Sequence, residues 1–279
     1  MSDQTMNLDD GVNDIDISVP VYGYRTFIDL PFDIVELSNG KHKIYDATST
    51  YDARWCECQL VLSEADQAEL TDFLSDSAKG RASSTVVISL SAGSGLHLFA
   101  PDKGDDGPFT VAMEILNRTG IGVDPWLYFK DSLRIVNQGA WPSYTPPAEV
   151  ADGSITIDTI TALRFPPDWF NPEVRYTTVM SLGRDGTALF VDRSTGGDSF
   201  KTRATLVCTE NKMAALIARL VGTSRAGTFS LTTGDNHFPF GYDKGDDTTH
   251  TVRLLQNQIV VTHYDYNRFS VDLEFGWES

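Results

Sequence analysis

Alternating apolar and polar residues run along most of the chain and predict extended strands. In the segment RWCECQLVL at 54–62, one face of a strand would carry Cys56, Cys58, Leu60 and Leu62. Similar patterns mark the segments STVVISLSA, FTVAMEI, SLRIVN, GTFSLTT, HTVRLLQ and FSVDLEF. We therefore predict a mainly β protein.

Two segments change to helical spacing, and each directly follows a long predicted strand. Their apolar positions are Leu70, Phe73 and Leu74 in the first segment and Met213, Leu216, Ile217 and Leu220 in the second. Ser63 and Thr209 are the predicted N-caps, where a side-chain oxygen accepts hydrogen bonds from otherwise unpaired amides. Gly80 and Gly227 lie just past the segments and are expected to end the helices. One apolar face of each helix must then pack on a sheet.

The sequence repeats itself at a constant offset of 146 residues. This offset aligns QLVLSEADQAELTDFL with TLVCTENKMAALIARL and gives nine identities in the 35 positions from Gly40 to Leu74. Glu64, for example, aligns with Glu210. Farther along the chain, the pentapeptide DKGDD occurs at 102–106 and again at 243–247. Duplication of one segment explains these repeats better than two independent acidic sites.

The repeat predicts two tandem modules, each a β-sandwich with one packed helix. The first module, with an N-terminal arm, is expected at 1–140, and the second at 154–279. Between them, WPSYTPPAEVADG at 141–153 is rich in proline and small polar residues, which is typical of a linker. Glycine-containing turns at 38–41 and 184–187 indicate a hairpin in each module.

The charge of the chain restricts its partners. It has 39 acidic and 22 basic residues, for a formal charge of −17 at pH 7. Such a charge repels phosphate backbones and anionic membranes, which argues against conventional nucleic-acid binding. We expect no secretory signal and no membrane insertion, because the chain shows neither a basic start followed by an apolar stretch nor an apolar run of ~18 residues. The protein is expected to be soluble where it is made.

The acidic residues of the two DKGDD segments are the first candidates for chemistry. They are Asp102, Asp105, Asp106, Asp243, Asp246 and Asp247. Carboxylate oxygens suit calcium, but the spacing lacks the alternating acids and late glutamate of a helix-loop-helix calcium site. Each segment also carries a lysine, Lys103 or Lys244, beside the acids. We expect a solvated interface or a hairpin turn here rather than a metal site.

Other reactive side chains also lack the spacing of known sites. The histidines are His42, His97, His237, His250 and His263. They match no zinc-protease or serine-hydrolase motif and are expected at the surface or in strands. Cys56 and Cys58 are expected to be buried thiols, since no further Cys or His stands at zinc-ligand spacing. We therefore predict no catalytic, metal or cofactor site and no enzymatic activity.

Three tryptophans beside prolines leave two roles open. Trp126, Trp141 and Trp169 could fill the core of the protein. They could equally contact neighbouring subunits, because aromatic residues concentrate at the centres of interfaces. The sequence does not separate these roles.

Each repeat has the same order of features: a glycine hairpin, a strand, a helix that follows at once, a glycine and further strands. The first repeat has the strand pattern W-x-x-x-x-L-x-L-S and a helix ending in L-x-x-F-L. The matching positions are Gly40, Trp55, Leu60, Leu62, Ser63, Glu64, Leu70, Phe73, Leu74 and Gly80, and in the second repeat Gly186, Leu206, Thr209, Glu210, Leu216, Leu220 and Gly227. This order, over about two thirds of the chain, resembles the minor tail proteins of long-tailed bacteriophages, in particular the lambda-type tail-tip and distal tail proteins. The resemblance implies the tail-tube fold, a β-sandwich flanked by a helix and assembled into a ring.

The resemblance implies a structural virion protein that lies at the distal end of a phage tail and is assembled in the host cytoplasm. Its partners would be copies of itself, the tail tube protein, the baseplate hub and receptor-binding proteins, with DNA passing transiently through an acidic lumen. Three chains with pseudo-six-fold symmetry and six chains both remain open. The hairpin regions Ser38 to Ala53 and Arg184 to Ser199 are expected to reach across subunit boundaries.

Two other classes of function remain as alternatives. A pair of carbohydrate-binding modules would use tryptophan and tyrosine rings to stack on host-surface glycans. A hydrolase would need activity that is lost on changing a single acid such as Asp105, and no motif in the sequence indicates its substrate.

Overall fold

The computed structural model of the protein describes most of the chain. The described residues are 4–11, 13–19, 23–30, 32–36, 42–46, 53–75, 86–90, 95–105, 107–123, 126–145, 155–163, 170–175, 178–182, 188–192, 199–222, 227–234, 239–240, 248–265 and 267–277. Outside them lie the turns expected at 38–41 and 184–187, most of the linker expected at 141–153, the second DKGDD segment with Asp243, Asp246 and Asp247, and also Gly80, Asp106, Trp169 and His237.

The described chain is mainly β, which confirms the prediction made from alternation. Its two α-helices are α1 (Glu64–Ser75) and α2 (Glu210–Val221), and a short 3-10 segment spans Pro101–Lys103. The strands are β1 (Gln4–Asp9), β2 (Asp14–Val19), β3 (Arg25–Asp29), β4 (Phe32–Glu36), β5 (His42–Asp46), β6 (Ala53–Ser63), β7 (Val86–Leu90), β8 (Phe109–Val123), β9 (Trp126–Asn137), β10 (Ile155–Ile157), β11 (Ile160–Leu163), β12 (Phe170–Arg175), β13 (Thr178–Leu182), β14 (Ala188–Asp192), β15 (Ser199–Thr209), β16 (Phe229–Thr232), β17 (Thr249–Leu254), β18 (Gln258–Asp265) and β19 (Arg268–Trp277).

Most strands belong to one large antiparallel sheet. Its order is β11-β10-β16-β17-β19-β18-β3-β6-β9-β8-β7-β1-β2, and β15 joins it through β19 and carries β12 on its other side. The pairs β4–β5 and β13–β14 form two separate hairpins. We call the described residues from 4 to 145 the N-terminal half and those from 155 to 277 the C-terminal half. The sheet is continuous between the halves, because β3 pairs with β18.

Two hydrophobic cores lie against this sheet, each beside one helix. The helical positions predicted to be apolar contacts are all buried: Leu70, Phe73 and Leu74 in α1, and Met213, Leu216, Ile217 and Leu220 in α2. β6 buries every second side chain and covers the first core, as its alternation predicted. Cys56 and Cys58 are buried there, which confirms their expected role.

The two helices begin differently. The Ser63 hydroxyl accepts the Asp66 N–H at 3.2 Å, so the predicted N-cap of α1 is confirmed. Thr209 occupies the N-cap position of α2 but makes no capping hydrogen bond with its side chain. The side-chain oxygen of Asn267, in the turn between β18 and β19, accepts the Glu210 N–H at 3.1 Å instead. The predicted side-chain cap was wrong for Thr209 because a residue distant in sequence takes that role.

The end of α2 also differs from the prediction. The helix stops at Val221, and Gly222 follows as its C-cap with its N–H bonded to the Ala218 carbonyl at 3.0 Å. Gly227 lies five residues farther on and does not end the helix. A Cβ atom at Gly222 would stand only 2.8 Å from the Ala218 oxygen, so this position requires glycine.

Candidate functional site

The joint between the two halves, formed by β3 and β18, is the feature of the sheet that local sequence pattern did not predict. The paired residues are Gln258 with Asp29, Ile259 with Ile28, Val260 with Phe27, Val261 with Thr26, and Thr262 with Arg25. At one end the Leu30 N–H donates to the Asn257 carbonyl at 2.7 Å, and at the other the His263 N–H donates to the Tyr24 carbonyl at 3.2 Å. The halves are therefore joined by a backbone ladder.

The joint also completes a hydrophobic core. Ile28, Leu30 and Phe32 come from the N-terminal half, are at most 5% exposed, and belong to the buried cluster beside α2. The same cluster contains Ile259 and Val261 of β18. Full burial of one such side chain contributes about 1.5–3 kcal/mol. The core of the C-terminal half is thus completed by side chains of the other half.

A polar cluster lies at the end of the joint. The Tyr24 hydroxyl accepts the His97 N–H at 2.6 Å and lies 2.6 Å from Nδ1 of His263. The His263 ring stacks on Phe269 with 4.3 Å between ring centroids. Burial raises the pKa of Tyr24 well above its usual value, so the phenol is neutral and keeps a proton that can be donated. These contacts fix the position of β3 against the C-terminal half.

Glu210, the first residue of α2, connects the helix to loops of the N-terminal half. Its carboxylate accepts a short hydrogen bond from the Tyr144 hydroxyl and lies 3.6 Å from Nε2 of His97. Burial raises the pKa of Glu210, but the hydrogen bonds with His97 and Tyr144 outweigh burial, so the pKa lies below its usual value. An ionised Glu210 therefore stabilises the joint.

Asp102, in the first DKGDD segment, is an ion-pair partner whose side chain is only 8% exposed. Arg54 of β6 is 1% exposed and donates to both oxygens of Asp102 at 2.6 and 2.8 Å, and also to the Phe99 carbonyl at 2.9 Å. Asp105 is also buried and accepts the Gly95 N–H at 2.7 Å. The expectation of a solvated turn was wrong for these two acids. The inner face of β6 carries Arg54, and a buried guanidinium needs a buried counter-charge.

The geometry gives no sign of a metal site in the part of the chain that the structure describes. Within it, no three His, Cys, Asp or Glu side chains are grouped as they would be around a metal ion. Asp102 and Asp105 each have a protein partner, as described above. Burial raises the pKa of Cys56 well above its usual value, which keeps this thiol protonated.

Two histidines far apart in sequence meet at the joint, which the sequence did not predict. His97 and His263 have ring centroids 6.4 Å apart. His97 lies in a buried loop, so the expectation that it lies at the surface or in a strand was wrong. His263 is in β18, on the same face as the buried Ile259 and Val261. Alternation along β18 could have placed His263 in the interior, but no local signal marked His97.

Trp141 is partly buried and packs on the core beside α1. Its ring centroid lies 5.4 Å from that of Phe99. The Arg54 guanidinium and the Lys103 ammonium lie over the same ring at 5.4 and 4.9 Å. Trp126 starts β9, but its side chain, like Trp169, lies outside the described residues.

Several strand edges have no strand beside them in the described part of the sheet. β2 pairs with β1 alone and β11 with β10 alone, so each leaves its outer edge open. β12 pairs with β15 alone. β8 pairs with β9 from residue 111 to 123, but with β7 only at residues 109–111. Leu116 and Ile121, on the rest of β8, are 42% and 38% exposed. A long edge with exposed apolar residues is a ready template for pairing with another chain.

The candidate functional site is therefore a set of strand edges: one pair joined within the chain, and open edges that include those of β12 and β8. Among the described residues, no helix combines the length and the apolar character needed to cross a membrane. In comparisons with known proteins, no family model matches the chain, and no curated protein matches it significantly.

Proposed function

We propose that the chain is a structural, non-enzymatic protein of a long-tailed bacteriophage tail. It would consist of two tandem tube-like modules, each a β-sandwich with one packed helix, that close with neighbouring copies into a ring. The ring would lie at the distal end of the tail and join the tail tube to the baseplate hub and the receptor-binding proteins. The observation that carries this proposal is the recurrence of strand pairing in the two halves.

The pairing recurs strand by strand. The order β2-β1-β7-β8-β9-β6-β3 of the N-terminal half corresponds to β11-β10-β16-β17-β19-β15-β12 in the C-terminal half, with β18 continuing β17 along β19. The hairpin β4–β5 corresponds to β13–β14. Each helix follows the corresponding strand, β6 or β15, without a break. Such agreement supports duplication of one module.

The register of pairing recurs as well. Thr26 faces Cys56 in the N-terminal half, and Pro172 faces Thr202 in the C-terminal half, so both partners are shifted by 146. On the other edge, the β6–β9 register reappears in β15–β19, with the second strand shifted by 140. A one-residue slip would move every side chain to the other face of the sheet, so a conserved register supports a conserved core.

The joint within the chain indicates how modules would assemble. One module contributes the β3 edge, and the other contributes a different edge, β18. A contact between two different surfaces is heterologous, and repeating it produces a ring when the rotation closes. Rings of three or six chains both satisfy this rule.

The charge of the chain is compatible with a channel for DNA. A charge of −17 favours a wall that repels phosphates rather than binding them. On the polar face of β6, β9 and β8, Arg134 is held between Glu57 at 2.9 Å and Glu114 at 2.8 Å. In β15 and β19, Arg203 pairs with Glu274 at 2.7 Å. These arginines are compensated, so the face would bind DNA weakly; a measured lumen lined by uncompensated lysine and arginine would contradict this.

The carbohydrate-binding alternative gains no support from Trp55 and Trp141. Trp55 is stacked on Phe27 with 5.1 Å between ring centroids, and Trp141 is packed on Phe99. Their contacts are within the protein. A sugar platform would need an accessible ring face.

Negative-stain imaging of the purified full chain, with glycan-array binding measured on the same sample, tests the proposal. We expect rings with an open centre and no glycan binding. A population that stays monomeric at micromolar concentration and binds glycans would contradict the structural role and favour the carbohydrate-binding alternative.

A further inference from the structure

We propose that two of the open strand edges form one joint between molecules, in which β12 of one copy pairs with β8 of the next. The partner is a second copy of this chain, because each copy carries both of these edges and they are the equivalents of β3 and β18, which pair within the chain. This inference rests on the proposed ring and identifies the strands and the register that close it. The template is the β3–β18 joint within the chain.

β12 of the C-terminal half is equivalent to β3 of the N-terminal half. β12 pairs with β15 as β3 pairs with β6, and the registers coincide at an offset of 146. Glu173 therefore takes the position of Phe27, and Pro172 that of Thr26. The difference is that the second edge of β3 is occupied by β18, whereas that of β12 has no described strand beside it.

The second part of β8 in the N-terminal half is equivalent to β18 in the C-terminal half. Gly120 faces Phe129 in β9, and His263 faces Phe269 in β19. Phe269 is the equivalent of Phe129 at the offset of 140, so His263 is the equivalent of Gly120. Counting back along each strand makes Asn117 equivalent to Val260. One residue earlier comes the bulge of β8, where Ile115 and Leu116 together take the position of Ile259: Ile115 faces Leu133, and Leu116 is the added residue.

Burial differs sharply between these equivalent residues. Ile259 is 0% exposed because Ile28 of β3 faces it and both belong to one core. Leu116 is 42% exposed, and no described strand lies beside it on that edge. A partner strand placed as β3 is placed on β18 would cover Leu116. The exposed leucine is thus explained by an absent partner strand.

The template fixes the register of the proposed joint. It places Asn117 opposite Glu173, with flanking pairs Leu116–Val174, Arg118–Pro172 and Thr119–Asn171. No two like charges face each other in this register, which matters because like charges directly opposite destabilise a sheet. Arg118 is already compensated by Asp131 of β9, at 2.7 Å.

Pro172 also fits an outward-facing edge. The carbonyl of Tyr24 accepts the His263 N–H of β18, and Thr26 lies two residues farther along β3, so its backbone groups also face away from β6. By equivalence, the missing N–H of Pro172 faces away from β15. In the template the equivalent Thr26 directs its N–H towards Val261. The proposed joint therefore has one backbone hydrogen bond fewer than the joint within the chain and is the weaker of the two.

Engineered disulfides test the register. The two backbone bonds at the ends of the β3–β18 joint lie three residues from Val260 and Phe27, which places these two in a non-hydrogen-bonded pair where Cβ atoms approach closest. The variant Asn117→Cys/Glu173→Cys should therefore oxidise to covalent multimers on a non-reducing denaturing gel. The matched variant Val260→Cys/Phe27→Cys should form the link within one chain. The variant Asn117→Cys/Val174→Cys is shifted by one residue and should give about tenfold less multimer.

The outcomes separate this inference from the proposed function. Rings seen by imaging, but without multimers from the Asn117→Cys/Glu173→Cys variant, would overturn the strand assignment and leave the ring intact. Equal multimer formation by the shifted variant would overturn the register. Absence of rings in the unmodified protein would overturn the proposed function and this inference together.

Hydrogen exchange on the unmodified protein gives a second test that needs no variant to fold. In the proposed joint, the amides of Leu116, Arg118 and Gly120 point to the partner, while those of Asn117 and Thr119 point to β9. On assembly, the first three should exchange at least about tenfold more slowly and the other two should not change. Uniform or absent protection along this segment would overturn the inference.

Discussion

Glu64 and Glu210 hold the same position in the two halves, at the first turn of a helix that follows a long strand, and their surroundings differ. Glu64 is exposed to solvent. Glu210 is partly buried and contacts Tyr144 and His97 of the other half. An identical residue at an identical position thus has a different role because only one of the two helices begins at the joint.

Two aligned positions carry polar residues in the N-terminal half and phenylalanine in the C-terminal half. Tyr24 is buried at the joint and hydrogen-bonded to His263 of the other half, and Arg54 of the neighbouring strand β6 is buried and hydrogen-bonded to Phe99. The offset of 146 aligns them with Phe170 and Phe200. The N-terminal half therefore carries polar groups where it meets the C-terminal half, and the aligned positions of the C-terminal half carry phenylalanine. Specific polar contacts distinguish the joint within the chain from the edges left open.

The largest effect is expected from breaking the buried ion pair. Asp102→Ala leaves the Arg54 guanidinium buried without its counter-charge, so we expect a loss of about 3–5 kcal/mol in the free energy of unfolding, measured by denaturant titration. The control Glu57→Ala removes a half-exposed partner of Arg134 and should cost less than about 1 kcal/mol. Equal losses for the two variants would mean that Asp102 does not compensate a buried charge.

The next largest effect on the free energy of unfolding is expected at Ile259, and Leu116 provides the matched exposed residue. Ile259→Ala empties a buried site and should lower the free energy of unfolding by about 2–5 kcal/mol. Leu116→Ala alters an exposed site and should change the unfolding of the separated chain by less than about 0.5 kcal/mol. It should weaken assembly instead, as measured by sedimentation across a dilution series. Assembly unchanged by Leu116→Ala would remove this residue from the interface.

A smaller effect is expected from the charge of Glu210. Its folded-state pKa lies below the usual value of 4.5, so its contribution is present above that pH and is lost as the pH falls through the folded pKa. Glu210→Gln should cost about 1 kcal/mol at pH 7 and less at about pH 3, as measured by Tm across this range. The control Glu64→Gln should show no such trend. A pH-independent cost for Glu210→Gln would show that its charge does not stabilise the joint.

The smallest effect is expected at Pro172. Pro172→Thr restores the backbone donor that the equivalent Thr26 supplies, so assembly should tighten by about 1 kcal/mol per joint, roughly fivefold in the dissociation constant. Mass photometry at several concentrations measures this change. Weaker assembly would indicate that the outer edge of β12 is not in the interface.

Much of the fold was predictable because its causes are local. Alternation placed β6 and β15, helical spacing placed α1 and α2, and the constant offset of 146 anticipated the matching order of elements. The cap of α2 was not predictable, since Asn267 reaches Glu210 from another turn. A side chain that competes from 57 residues away leaves no trace in a local pattern.

The candidate site was less predictable because it depends on pairing between distant strands. The alternation of β3 does not indicate that β18 is its partner. β3 pairs in antiparallel fashion on both edges, with β6 on one side and β18 on the other. Asp102 was expected in solvent because its local sequence is acidic and turn-like. Only the three-dimensional placement of Arg54 explains why that acid is buried.

Native mass spectrometry of the full chain, combined with the number of lobes in class-averaged images of the same particles, tests the central claim most directly. We expect closed rings that contain two lobes for each chain of 30.8 kDa, whether three or six chains take part. Rings with one lobe per chain, or a species that never exceeds the mass of a single chain, would contradict it.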